Sequence, residues 1–306
     1  MNASPLHGRA LWAGYAALTA ASFCWSTNYV IGRMIGETIP LMALSFWRCM
    51  VATLILSAFV LPRLRTDWRV ALRNLPLLCF FSLTGVFLPT VLAFWGVRHT
   101  TATNAVLVQA VGPLCILIWT WILWGERIGL RQLGGIALSF AGIAVLASQG
   151  SLDVLLGLSI NPGDALMIST ALAYSAYTAM LRRRPTMHPH SFIAFSFAIA
   201  ALAFLPMYLW ELRAGGPAMP GPPQLAGILF IALVPTIGSF LCHTYGMERV
   251  GAARGGQFLN LIPPFGLALA ILLLGEVPQL YHGASALLIA AGLVLGALQK
   301  ARPARA

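Results

Sequence analysis

Apolar residues run along this chain in long unbroken stretches, not in the alternation of a half-buried strand or the one-faced stripe of a surface helix. Ten runs can be marked, at about 11–32, 40–62, 72–95, 101–124, 130–149, 163–181, 190–211, 223–247, 251–274 and 281–299. Each is close to the roughly 20 residues that carry a helix across a bilayer. In lipid a backbone satisfies its hydrogen bonds only as a helix or a closed barrel, and a barrel's alternation is missing. The pattern predicts an all-α polytopic membrane protein with ten transmembrane helices. The first run exceeds a signal-peptide core in length and lacks a small-residue cleavage site, so it is expected to be a retained helix.

The runs also repeat. Residues 95–149 slide onto 245–299 without a gap, and 13 of 55 positions match. The matches include Gly96 with Gly246, Pro113 with Pro263, Gly125-Glu126 with Gly275-Glu276, and Gly142 with Gly292. A weaker echo joins Trp25-Ser26 to Tyr174-Ser175 and Pro40 to Pro189. The implied unit is five helices, dividing the chain into 1–150 and 151–306. Five is odd, so the second copy is expected to lie inverted in the membrane. Secondary transporters use such repeats to build a midplane site reached alternately from each side.

Composition changes the picture in two ways. With 59% hydrophobic and 9% charged residues, the chain cannot clothe a soluble domain in polar surface. The net charge of +11 would suggest a nucleic-acid partner in a soluble protein, but here the basic residues cluster between apolar runs. A cytoplasmic N-terminus puts 15 basic residues inside, among them Arg63, Arg65, Arg69, Arg73 and Arg182–Arg184, against Arg33, Arg98 and Arg213 outside. That bias requires an even number of spans with both termini cytoplasmic. The five cysteines all lie in apolar runs without a CxxC pair, and read as small buried residues, not as a disulfide frame or metal site.

Trp25-Ser26, Phe46-Trp47-Arg48 and the Gly-Glu pairs closing the fourth and ninth helices, together with the repeat, resemble the drug/metabolite transporter superfamily and its EamA-type members. Within that group the chain is most similar to the bacterial exporters of aromatic and other amino acids, the YddG type. The resemblance implies an inner-membrane carrier that exports amino acids or similar small metabolites, with no cofactor and no nucleic-acid partner. Export of cationic drugs or other metabolites on the same fold is the alternative. A membrane-embedded enzyme or a channel is a more distant one. A single chain with ten spans can enclose its own path, which favours a monomer.

No nucleophile, phosphate-loop or metalloprotease spacing occurs, and the eight acidic residues sit at span ends or in loops. The first span reads Phe23-Cys24-Trp25-Ser26-Thr27-Asn28, without the central acid of the small multidrug pumps. Arg48 lies about eight residues into the second span, where a charge costs on the order of 2.5–3.5 kcal/mol. It either faces a cavity and attracts a substrate carboxylate or ties helices together through backbone carbonyls.

Pro113 and Pro263 interrupt spans four and nine, and Pro89 and Pro235 mark spans three and eight. They serve either as borders of a transport site or as plain kinks. Polar and aromatic residues near the span centres complete the candidate substrate-binding set: Trp25 and Asn28, Thr90 and Trp95, Asn104 and Gln109. The second half adds Tyr174 and Tyr177, His243 and Tyr245, and Gln257 and Asn260. Such groups face a cavity or bond between helices. His243 is the one among them that could titrate near neutral pH.

Overall fold

The computed structural model describes residues 8–35, 39–215, 220–275 and 277–297. Among them every regular element is helical. Helices α1 (Gly8–Ile35), α2 (Leu41–Arg73), α3 (75–98), α4 (102–124) and α5 (Leu130–Ala147) form the first half. A short helix at Leu152–Leu156 leads to α6 (Pro162–Met180), α7 (Pro189–Arg213), α8 (222–250), α9 (Ala252–Leu274) and α10 (Leu280–Ala297). Glu276 and residues 298–299 of the last apolar run lie outside the described residues.

Among the described residues eight helices, α2–α5 and α7–α10, are long and apolar enough to cross a membrane. The other two, α1 and α6, are the first helices of the two halves, and both are rich in hydroxyl groups. Two of those groups bond to other helices: Ser22 of α1 donates to the Phe258 carbonyl at 2.7 Å, and Ser175 of α6 donates to the Gly112 carbonyl at 3.1 Å. Hydroxyl groups that bond to their own or a neighbouring helix are tolerated within a bundle.

The end of α2 departs from the sequence expectation. Residues 63–73, expected as a basic loop, continue the helix past Pro62 to Arg73. Arginine, leucine and alanine are good helix formers, and exposed backbone there can bond to water. Asn74 ends the helix with its side-chain amide on the Val70 carbonyl at 2.9 Å.

Packing follows one rule. Helix α1 packs on α8 and α9, while α6 packs on α3 and α4; α2 pairs with α7, and α5 with α10. Adding five to each label, cyclically, returns the same set. The α2–α7 pair carries much of the apolar core, with Phe46 stacked on Tyr208 at 4.8 Å. At its end the Glu211 carboxylate of α7 accepts the backbone N–H groups of Met42 (3.2 Å) and Ala43 (2.8 Å), capping the start of α2. The α5–α10 pair is built on glycine. A methyl group on Gly135 would lie 2.5 Å from the Gly292 carbonyl oxygen.

Candidate functional site

Four helices are irregular, in matching places. Helix α3 contains a π-helical turn at Leu83–Phe87, with Pro89 just after it, and α8 contains one at Ala232–Gly238 around Pro235. Shifting 83–87 by the repeat offset of 150 gives 233–237, inside the second turn. The two prolines are therefore offset from one another but serve equivalent irregularities. Helix α4 breaks at Ala110-Val111, just before Pro113, and α9 tightens into a 3₁₀ segment at Gly256–Leu261 before Pro263. Proline lacks the N–H that would reach the carbonyl four residues back. In α4 the Val111 N–H instead reaches the Val108 carbonyl at 3.1 Å.

Around these irregular turns lies a cavity of about 680 Å³, a size typical of small-molecule sites. Six of the expected binding residues line it: Trp25, Arg48, Thr90, Gln109, Tyr174 and Asn260. Pro89 and Pro263 line it as well, whereas Pro113 and Pro235 do not. Arg48 is the one charged side chain among the described lining residues. Its Nη2 donates to Thr90 Oγ1 at 3.0 Å, while its Nε is buried without a hydrogen-bond partner. Thr90 in turn donates to the Val86 carbonyl at 2.7 Å, so its oxygen is held in place for Arg48. The buried amide nitrogen of Asn260 also lacks a partner. Opposite these polar groups stands an aromatic wall, with Trp25 edge-on to Tyr174 (5.9 Å) and to Phe240 (5.7 Å).

The remaining expected residues lie elsewhere. Trp95 and Tyr245 are exposed and outside the lining, each near an arginine: Arg98 is 5.6 Å from the Trp95 ring, and Arg249 is 3.3 Å from the Tyr245 ring. Asn104 is buried and donates to the Ser159 carbonyl (2.8 Å) and to Asp164 (2.9 Å), tying α4 to the start of α6. Gln257 is buried tightly against Gly296, and Asn28 is half-buried away from the lining. Tyr177 and His243 are buried just behind the aromatic wall. The Tyr177 ring covers Gly85 in the π turn of α3, where a Cβ would fall 2.5 Å from its Cδ2 atom. Phe197, Thr236 and Phe240 line the cavity without having been expected there. Their signal in the sequence is weak, because Phe and Thr are ordinary residues of any span.

A second cleft, of about 1010 Å³, opens at the other end of the same helices. Thr103 near the start of α4 lines the first cavity and Trp124 at its end lines the second. On α6, likewise, Tyr174 lines the first, and Thr178 and Ala179 the second. The second cleft is rich in charge. Arg182 pairs with Glu126 at 3.0 Å, Arg184 pairs with Glu248, and the Arg182 guanidinium lies 4.6 Å from the Trp124 ring centre. The Trp124 indole donates to the Ala179 carbonyl at 3.1 Å. Between cavity and cleft stands a packed partition that includes Phe81, Tyr177 and His243. Among the described residues no cluster of side chains could hold a metal ion.

A multi-pass helical bundle with a central cavity between paired, interrupted helices is the architecture of a membrane transporter. The EamA-like transporter family model matches residues 12–148 and again 161–297, and the chain belongs to that family. An uncharacterized transporter of Archaeoglobus fulgidus is 24% identical over 91% of this chain and 95% of its own. The uncharacterized transporter YetK of Bacillus subtilis is 25% identical, covering 94% and 88%. A probable terminal-alkyne amino-acid exporter of Streptantibioticus cattleyicolor is 25% identical over 88% and 87%. A protein crystal structure, 21% identical, superposes with a TM-score of 0.75 over 94% of this chain and 96% of the other, and so shares the fold.

Proposed function

We propose that this transporter exports amino acids or similar small carboxylate-bearing metabolites across the bacterial inner membrane by alternating access. In this reading all ten helices span, 1–150 and 151–306 are inverted five-helix repeats, both termini are cytoplasmic, and one chain encloses the path as a monomer. The charged cleft then faces the cytoplasm and is closed off from the cavity, which opens to the opposite side. The observation that carries the substrate class is Arg48: the one charged side chain lining a cavity whose described lining has no acidic residue. A carboxylate in the cavity can pair with that guanidinium; a cationic drug would find no countercharge there. The amino-acid exporter among the relatives supports the same class.

The test is counterflow in proteoliposomes containing only this protein, with labelled amino acids and their carboxamides. Arg48→Gln should slow the acids by tenfold or more, as expected for a charge-assisted bond of about 1.5–3 kcal/mol, and should barely affect the amides. Equal losses for both, in well-folded protein, would move Arg48 to a packing role.

A further inference from the structure

His243 lies on α8 between Phe240, which lines the cavity, and Met247, which lines the charged cleft. It is 1% exposed, and its Nδ1 has no hydrogen-bond partner. Its one polar contact is Nε2 to the Tyr174 hydroxyl at 3.5 Å, the outer limit of a hydrogen bond. Tyr174 itself lines the cavity. We propose that His243 is a proton-binding site that acts through Tyr174, so that a proton and the substrate's ammonium group exclude one another. This rests on the amino-acid carrier reading above.

The argument is one of hydrogen-bond polarity. A neutral imidazole with its proton on Nδ1 can accept the Tyr174 O–H at Nε2. The phenol oxygen then turns its lone pairs towards the cavity, beside the Trp25 ring, which lies 5.9 Å from Tyr174 and 5.2 Å from His243. Lone pairs and an aromatic face suit an ammonium group. A proton added at Nε2 makes that nitrogen a donor to the phenol oxygen, and Tyr174 then points its own O–H into the cavity. The same proton leaves a positive charge behind the wall. Both changes repel an ammonium group and leave the carboxylate free to bind Arg48.

The surroundings supply no competing charge. From α6 the titratable groups facing the ring are Tyr174 and Tyr177, the latter at 6.3 Å between ring centres. Helix α1 brings Trp25 and the thiol of Cys24, whose sulfur approaches α8 at Gly238, and α8 itself carries Cys242. Helix α7 packs Phe197 against Phe240, and α3 packs Phe81 against Tyr177, neither of them titratable. Arg48 of α2 shares the cavity, and no described carboxylate contacts the ring. An unpaired imidazolium is costly in such a place. Protonation is therefore favoured when the ammonium has left and water fills the cavity, the order that a one-for-one exchange requires. A group in the partition between cavity and cleft can also be reached from either side in turn.

The experiment uses proteoliposomes with the membrane potential clamped and tritiated phenylalanine, methionine and threonine as probes. Wild-type protein should show counterflow without a gradient, and an inside-acid gradient of one pH unit should drive up to about tenfold accumulation. In His243→Gln, whose amide oxygen can still accept from Tyr174, counterflow should fall no more than about threefold while accumulation disappears. His243→Asn should behave alike, with size-exclusion profiles confirming folding. Should neither variant fold, the wild type decides the matter. Its counterflow KM for phenylalanine should rise on acidification, and that for 3-phenylpropionate, which lacks the ammonium, should not. Accumulation in both variants equal to wild type, or loss of their counterflow in folded protein, would overturn the proposal. Wild-type counterflow that ignores the gradient would overturn it too and leave the carrier reading standing. No counterflow of any probe would bring down the carrier reading and this proposal together.

Discussion

Glu126 shows how one residue's surroundings set the sign of its contribution. Burial raises its carboxyl above the ordinary glutamate range, and Arg182 pulls it back less strongly. A carboxyl with a raised folded-state pKa holds its proton more tightly in the folded chain. Its contribution to stability is therefore full at low pH and is lost as pH rises from the ordinary glutamate value through the raised one. Glu126→Gln should leave the thermal midpoint in detergent unchanged or slightly higher at pH 7, and should give no gain near pH 4. With both partners partly exposed, the effect is expected to stay below about 1 kcal/mol. A midpoint several degrees lower at pH 7 would mean that the ion pair outweighs the burial. At this scale the sequence was legible where a residue is costly. Arg48 announces itself because a guanidinium in a span must be accounted for. Phe240 and Thr236 do not, since their place in the lining depends on how the π turn rotates α8.

At the scale of the helix, boundaries were readable wherever hydropathy changes abruptly and unreadable where it does not. The extension of α2 through 63–73 is polar, so an apolar count stops at Pro62 although the backbone does not. The breaks in α4 and α9 were visible through Pro113 and Pro263, because a missing N–H leaves its mark in the sequence itself. The π turns were signalled only by Pro89 and Pro235, which sit at different points relative to each turn. Helix pairing yields the clearest test. Gly135→Val would push a branched side chain into the Gly292 and Gly296 backbone, and overpacking of this kind costs about 1–3 kcal/mol. The variant should melt several degrees below wild type in detergent and keep its affinity for probe amino acids, since α5 touches the cavity only towards its far end. An unchanged midpoint would show that the α5–α10 contact can open without cost.

For the whole molecule, the two-fold logic of the helix pairs was foreshadowed by the 150-residue offset, because matched glycines and prolines are rarely placed by chance. The orientation in the membrane is a separate matter, resting on charge. The proposed topology predicts that single cysteines placed at Arg69 and Arg183, in a background without the five native ones, react with a membrane-impermeant maleimide only after cells are opened. One at Gln149, on the cavity side, should react in intact cells. The reverse pattern would overturn the orientation and leave the fold untouched.

The unequal breaks in α4 and α9 carry one more consequence. A 3₁₀ segment rises about 2.0 Å per residue against 1.5 Å for an α-helix. Six tightened residues in α9, against a two-residue turn in α4, make α9 about 2 Å longer than its counterpart. If the halves exchange roles during transport, that surplus length must pass from one helix to the other, drawn out at 106–111 as it is taken up at 256–261. The two breaks would then act as a matched pair of telescoping joints, and the difference in their lengths would tell which side of the membrane the cavity faces.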